Sequence, residues 1–152
     1  MDTENLLSAI REVLVSHLEI VFAVLYGTAA KGMLNARSDV DIAVAADFPT
    51  DTERGSSLET PCGQGNTLSP EYKVNLLLAL EKRVGRSVDL LDLRTAYGVI
   101  LTEVLTKGKI IINKKPEVYA GLMKKMLFYN ADMLPNYRMM LQARAKKIAR
   151  GD

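Results

Sequence analysis

The chain has 152 residues, 48% of them hydrophobic and 25% charged, an ordinary globular composition of a length that fits one domain. With 20 Lys and Arg against 18 Asp and Glu the net charge is +2, too balanced to mark a nucleic-acid binder by composition. The single cysteine, Cys62, excludes an internal disulfide, and with only His17 to help it excludes a structural zinc site.

Asp2 or Thr3 can cap a first helix from Glu4 to Leu18, with Leu6, Leu7, Ile10, Val13 and Leu14 on one apolar face. His17, near its end, reads as structural. The run Ile20 to Tyr26 is β-branched and aromatic and stops at Gly27, which predicts a strand buried on both faces. A short helix is expected over Ala29 to Leu34. Asp39 to Ala46 predicts a second strand, with Asp39 and Asp41 on one face and Val40, Ile42 and Val44 on the other. Residues 48–69 are rich in Thr, Ser, Gly, Pro and charge and read as a long loop.

Ser69-Pro70-Glu71 opens a third helix, whose apolar positions are taken as Val74, Leu77, Leu78 and Val84 and which Gly85 ends. Ser87 to Leu93 predicts a third strand, Thr95 to Lys107 a helix closed by Gly108, and Lys109 to Asn113 a fourth strand. A long C-terminal helical segment runs from Pro116 to Arg150, interrupted at Pro135. The order implies an α/β (α+β) fold: one domain over 1–152, a small mixed sheet with helices packed on it. An acidic, polar N-terminus and a longest apolar run of 7 residues, against the about 20 a membrane span needs, predict a soluble, cytoplasmic protein.

Two acidic side chains two residues apart on one strand face repel each other unless a cation lies near. Asp39-x-Asp41 therefore reads either as a solvated pair or as a Mg²⁺ site, since Mg²⁺ takes one or two protein carboxylates and completes its shell with phosphate and water. The preceding turn adds weight to the metal reading, although an ordinary strand-to-helix turn also favours Gly-Thr. At Tyr26-Gly27-Thr28 a strand runs into a short helix; glycine lets the backbone approach a ligand, Thr28 adds a hydroxyl, and helix-start amides suit phosphate. Lys31 and Arg37 place positive charge between this turn and the acidic pair. A third carboxylate, Asp89, sits between Val88 and Leu90 on a strand expected to be buried, and can join Asp39 and Asp41 at one metal centre. Asp92 faces the other way and reads as the cap of the helix near Thr95.

Gly27-Thr28, ten residues, then Asp39-Val40-Asp41 resembles the Gly-Ser-x10-Asp-x-Asp signature of the DNA-polymerase-β-like nucleotidyltransferases, and Val88 to Leu93 is similar to their third-carboxylate strand. The small size and the ending, Gly108 to Ile112 followed by a long helix, most resemble the minimal nucleotidyltransferase (MNT) branch, and within it the MntA-type antitoxins that pair with HEPN-domain ribonuclease toxins. The resemblance implies a nucleotidyltransferase fold. It implies that Asp39 and Asp41 hold two Mg²⁺ ions on ATP, that Gly27 and Thr28 bind its β- and γ-phosphates with Lys31 and Arg37 in support, and that Asp89 completes the metal site and helps deprotonate the acceptor. The implied activity is transfer of AMP from ATP to a tyrosine of the toxin, which neutralises it. Thr28 stands where the family has Ser, and Ala29 and Ala30 where relatives often place Arg.

Two other readings belong beside that one. The last helix carries Met123, Met126, Met133, Met139 and Met140 with Tyr119, Tyr129 and Tyr137; Leu122, Met126 and Tyr129 read as core, and the surface beyond Pro135 as a contact for a partner or a second copy. That suits an antitoxin acting by tight binding alone. A small-molecule nucleotidyltransferase ranks last, because only 63 residues follow Asp89. The basic tail (Arg138, Arg144, Lys146, Lys147, Arg150) reads first as a solvated face and second as a contact for an acidic partner or RNA; no membrane contact is expected.

Overall fold

In a computed structural model of the chain, the described residues are 2–33, 35, 37–48, 66–133, 139 and 142–146. The elements are α1 (Thr3–Ser16), β1 (Ile20–Tyr26), α2 (Gly27–Ala30), β2 (Val40–Ala46), α3 (Pro70–Val84), β3 (Val88–Asp92), α4 (Val99–Lys107), β4 (Lys109–Asn113) and α5 (Pro116–Phe128). The four strands form one sheet in the order β3-β2-β1-β4. β1 runs antiparallel to both β2 and β4, and β2 runs parallel to β3, so the sheet is mixed, as expected.

Side-chain alternation along the strands divides the core into two layers. On one face Leu25, Val40, Ile42, Val44 and Leu90 pack with Leu6, Ile10 and Leu14 of α1 and Leu76, Leu80 and Val84 of α3. On the other, Phe22, Val24, Tyr26, Ala43, Ala45 and Leu93 pack with Leu101 and Val104 of α4 and Leu122 and Met126 of α5. β1, at the centre, is buried along its whole length, which is why its sequence lacks alternation.

Several boundaries differ from expectation. α1 ends at Ser16, where the backbone of His17 leaves helical geometry and its Nδ1 lies 2.9 Å from the Val13 carbonyl oxygen; His17 is structural, at the end of β1 away from Gly27. α2 is one turn, earlier and shorter than the sequence suggests. α3 starts and stops as predicted, with the Ser69 hydroxyl accepting from the Tyr72 amide and Gly85 left-handed at φ 73°. Its buried face, however, is Leu76, Leu80 and Val84, while Val74 and Leu78 are exposed. α4 starts at Val99 instead of Thr95, because Asp92 organises a turn there: its Oδ1 accepts from the Arg94 amide, and its backbone carbonyl from the amides of Thr95 and Ala96.

Past Phe128, α5 widens into a π-helical turn, Tyr129–Met133. Leu122 and Met126 are core, and Tyr129 stacks edge-on against Tyr97 with ring centroids 5.3 Å apart. The predicted interruption at Pro135, Met140, Tyr137 and the tail cations Arg138, Lys147 and Arg150 lie outside the described residues, as do Cys62 and 49–65 of the long loop. The loop's two ends are pinned beyond the end of β2, where the Phe48 amide donates to Asn66 Oδ1 (3.0 Å) and the Leu68 amide to Asp92 Oδ2 (2.9 Å). That is the end of β2 away from Asp41. No helix among the described residues is long and apolar enough to cross a membrane.

Candidate active site

Strand register assembles the site. Tyr26 on β1 is paired with Asp41 on β2, and Asp41 is paired with Asp89 on β3. The three side chains therefore stand in a row across three adjacent strands, on the face covered by α4 and α5, at cross-strand spacings of about 5 Å. Asp39 lies just ahead of β2, outside the strand, and its charge acts on Asp41. Asp89 is exposed, not buried as its apolar neighbours suggest: β3 is an edge strand, and this end of its face lies open. Asp39 is exposed and Asp41 half-buried.

The glycine turn approaches the Asp41 carboxylate closely. Gly27 has φ +71°, and a Cβ at that position would lie 2.3 Å from Asp41 Oδ2. Only glycine fits: the left-handed backbone disfavours any other residue, and the Asp41 carboxylate occupies the space a side chain would need. Thr28 follows, exposed, at the first turn of α2, and its carbonyl accepts from the Met33 amide at 3.0 Å. Lys31, the cap of α2, and Arg37 are both exposed on the connection between α2 and β2.

The electrostatics follow from this layout. The Asp41 carboxyl is held above its ordinary 3.8, first by burial, then by the negative charges of Asp89 and Asp39. The Tyr26 hydroxyl is pushed up to about 12 by burial and by Asp41, Asp89 and Glu103. Tyr26 and Glu103 are not singled out by the sequence pattern; the one hint is an acidic residue in the apolar run Val99 to Leu105. Among the described residues, no three His, Cys, Asp or Glu side chains stand close enough to hold a metal by themselves. The donors fit instead a Mg²⁺ ion that arrives with a polyphosphate, which needs only one or two carboxylates from protein. Such an ion would relieve the repulsion that adds to burial in raising Asp41.

The family profile described as "Polymerase beta, Nucleotidyltransferase" matches residues 8–117. The chain belongs to that nucleotidyltransferase family, whose fold the mixed sheet and its helices express. Solved structures share the fold. A chain of a toxin–antitoxin crystal structure with AMP-PNP superposes at a TM-score of 0.63, 22% identical over 94% of this chain and 98% of that one. A chain of the MntA-HepT toxin–antitoxin superposes at 0.59, 21% identical over 96% and 98%. A chain from the tri-AMPylated Shewanella oneidensis HEPN toxin in complex with MNT antitoxin superposes at 0.59, 20% identical over 97% and 98%. No curated protein matches the chain.

Proposed function

We propose that this protein is an antitoxin, acting as one domain in the cytoplasm, that transfers AMP from ATP to a tyrosine of a HEPN-type ribonuclease partner and so silences it. The observation that carries the reading is the Gly27–Asp41 approach in register with Asp89: a turn without a side chain set against carboxylates on two adjacent strands. The company of the fold supports it, since one similar structure holds AMP-PNP and another a tri-AMPylated HEPN toxin.

In this reading Asp39 and Asp41 would hold the Mg²⁺ that comes with the triphosphate, two ions in the complete site, with Asp89 beside them. The bound cation supplies charge neutralisation where the in-line displacement spreads negative charge. The chain's own groups do the rest. The Gly27 backbone admits the β- and γ-phosphates, the Thr28 hydroxyl donates to them, and Lys31 and Arg37 attract them. Asp89, open to solvent, accepts the proton of the incoming tyrosine hydroxyl as its oxygen bonds to the α-phosphorus. The bond from the α-phosphorus to the bridging oxygen breaks, and pyrophosphate leaves. Positioning and charge account for most of the rate in such transfers.

The test is transfer of labelled AMP from ATP to the product of the neighbouring reading frame. Label should require Mg²⁺ and disappear in Asp39→Asn and Asp41→Asn. Equal labelling by these variants and the wild type sinks the proposal.

A second reading, inhibition by binding alone, draws on an apolar groove of about 550 Å³ on α5 lined by Ala120, Met123, Leu127 and Phe128, with Lys124 at its edge. If an Asp39/Asp41 double variant still neutralised the ribonuclease at unit stoichiometry, this reading would replace the first.

A further inference from the structure

The predicted cations, Lys31 and Arg37, and the first acidic residue, Asp39, are all exposed, so burial does not fix them. What holds the approach to Asp39 is a turn. The Asn35 amide donates to Ser38 Oγ (3.2 Å), Asn35 Oδ1 accepts from the Arg37 amide (2.9 Å), and the Asn35 carbonyl accepts from the Ser38 amide (3.2 Å). That same carbonyl accepts a second bond, 2.6 Å long, from Nη1 of Arg86, 51 residues away on the approach to β3. One residue on, the Ser87 carbonyl accepts from the Val40 amide at 2.9 Å. The turn is thus stitched to the entrance of β3 on both sides of Asp39, by Arg86 before it and Ser87 after it.

The Ser87 stitch is backbone to backbone and is the first rung of the β2–β3 pairing, so any residue can make it. The Arg86 stitch depends on its side chain. Among the described residues Arg86 forms no ion pair. Its permanent charge makes the bond to a neutral carbonyl a strong one. The connection it fastens carries Arg37 and Asp39, which must meet a triphosphate together.

We propose that Arg86 is a positioning residue: by clamping the Asn35–Ser38 turn to β3 it holds Arg37 and Asp39 in the arrangement that receives a magnesium–nucleoside triphosphate. This rests on the nucleotide reading above, but the clamp can be tested without a nucleotide. In the absence of ligand, Arg86→Ala should speed hydrogen exchange at the Arg37 and Ser38 amides about tenfold while exchange at the Val24 amide and the melting temperature stay near wild type. The same variant should bind Mg²⁺·AMP-PNP about tenfold more weakly by calorimetry. Arg86→Lys keeps a charged donor able to reach one carbonyl and should restore both measurements to within about threefold of wild type. Unchanged exchange in Arg86→Ala overturns the clamp whatever the nucleotide data say. Faster exchange with unchanged affinity overturns its link to the site, and a lysine variant as impaired as alanine overturns the single-bond geometry. If the wild type bound no Mg²⁺·AMP-PNP, the nucleotide reading would fail and the claim about the triphosphate with it, while the exchange data would still decide whether Arg86 holds the turn.

Discussion

Gly27→Ala separates the stability of this fold from its chemistry. Two penalties fall on the new methyl group. The first is conformational: φ is +71°, and a left-handed L-residue costs about 1–2 kcal/mol. The second is steric, because the Cβ would lie 2.3 Å from Asp41 Oδ2, and an ordinary contact lies about 1 Å further out. That oxygen is the tip of a short side chain, so the clash is relieved by swinging the carboxylate away, not by moving the sheet. The fold should therefore lose only the conformational part, a fall in melting temperature of about 2–8 °C for a chain of this size. The carboxylate, displaced by about 1 Å, should lose about a hundredfold in AMP transfer. Gly85→Ala is the matched control: φ is +73° and nothing lies within 4 Å of its Cβ, so it bears the first penalty without the second. Thermal melts and labelled-ATP transfer on both variants check the argument. If Gly27→Ala kept wild-type transfer, or if Gly85→Ala lost as much, the close approach to Asp41 would not be what the glycine is for.

Three further outcomes follow from the same structure. Asp41→Asn should raise the melting temperature of the metal-free protein at pH 7 while abolishing transfer. The folded state raises this carboxyl above 3.8, so it binds the proton more tightly than the unfolded chain does. Stability therefore falls as pH rises through about 4 towards the raised value, and the penalty is complete above both. Melts from pH 3 to pH 8 should show the variant's advantage vanishing below about pH 4, and an advantage constant across that range would contradict the assigned cause. Asp92→Ala should destabilise by about 1–3 kcal/mol for each amide it strands, those of Leu68 and Arg94, which denaturant titration would read. Gly108→Ala should cost about 1–3 kcal/mol by overpacking, because its Cβ would lie 2.2 Å from Val24 Cγ1 and 2.4 Å from the Val104 carbonyl oxygen. The backbone at Gly108 (φ −74°) suits any residue, so a neutral result there would mean that α4 shifts freely on β1.

Local chemistry is what the sequence states most clearly. Ser69-Pro70 and Gly85 bound α3 because a cap, a preset φ and a left-handed stop act within a few bonds of themselves. The spacing of Gly27, Asp39 and Asp41 was legible for the same reason: it is fixed along the backbone, although β2 itself starts only at Val40. Helix faces were read less well. Val74 and Leu78 fit an apolar stripe, yet α3 turns Leu76 and Leu80 inwards, because both the sheet and α1 decide which side is covered.

The amino-acid sequence alone determined the glycine turn, the acidic pair, the strand order in the chain and the family resemblance, all properties of residues near one another along the backbone. Tertiary structure alone decided that Asp41 stands level with Asp89 and opposite Tyr26, that Gly27 touches the Asp41 carboxylate, that Asp89 lies exposed on an edge strand, and that Arg86 reaches Asn35. The reason is physical: strand register and edge position are set by how distant segments pair and bury, and neither is encoded in the spacing within any one segment.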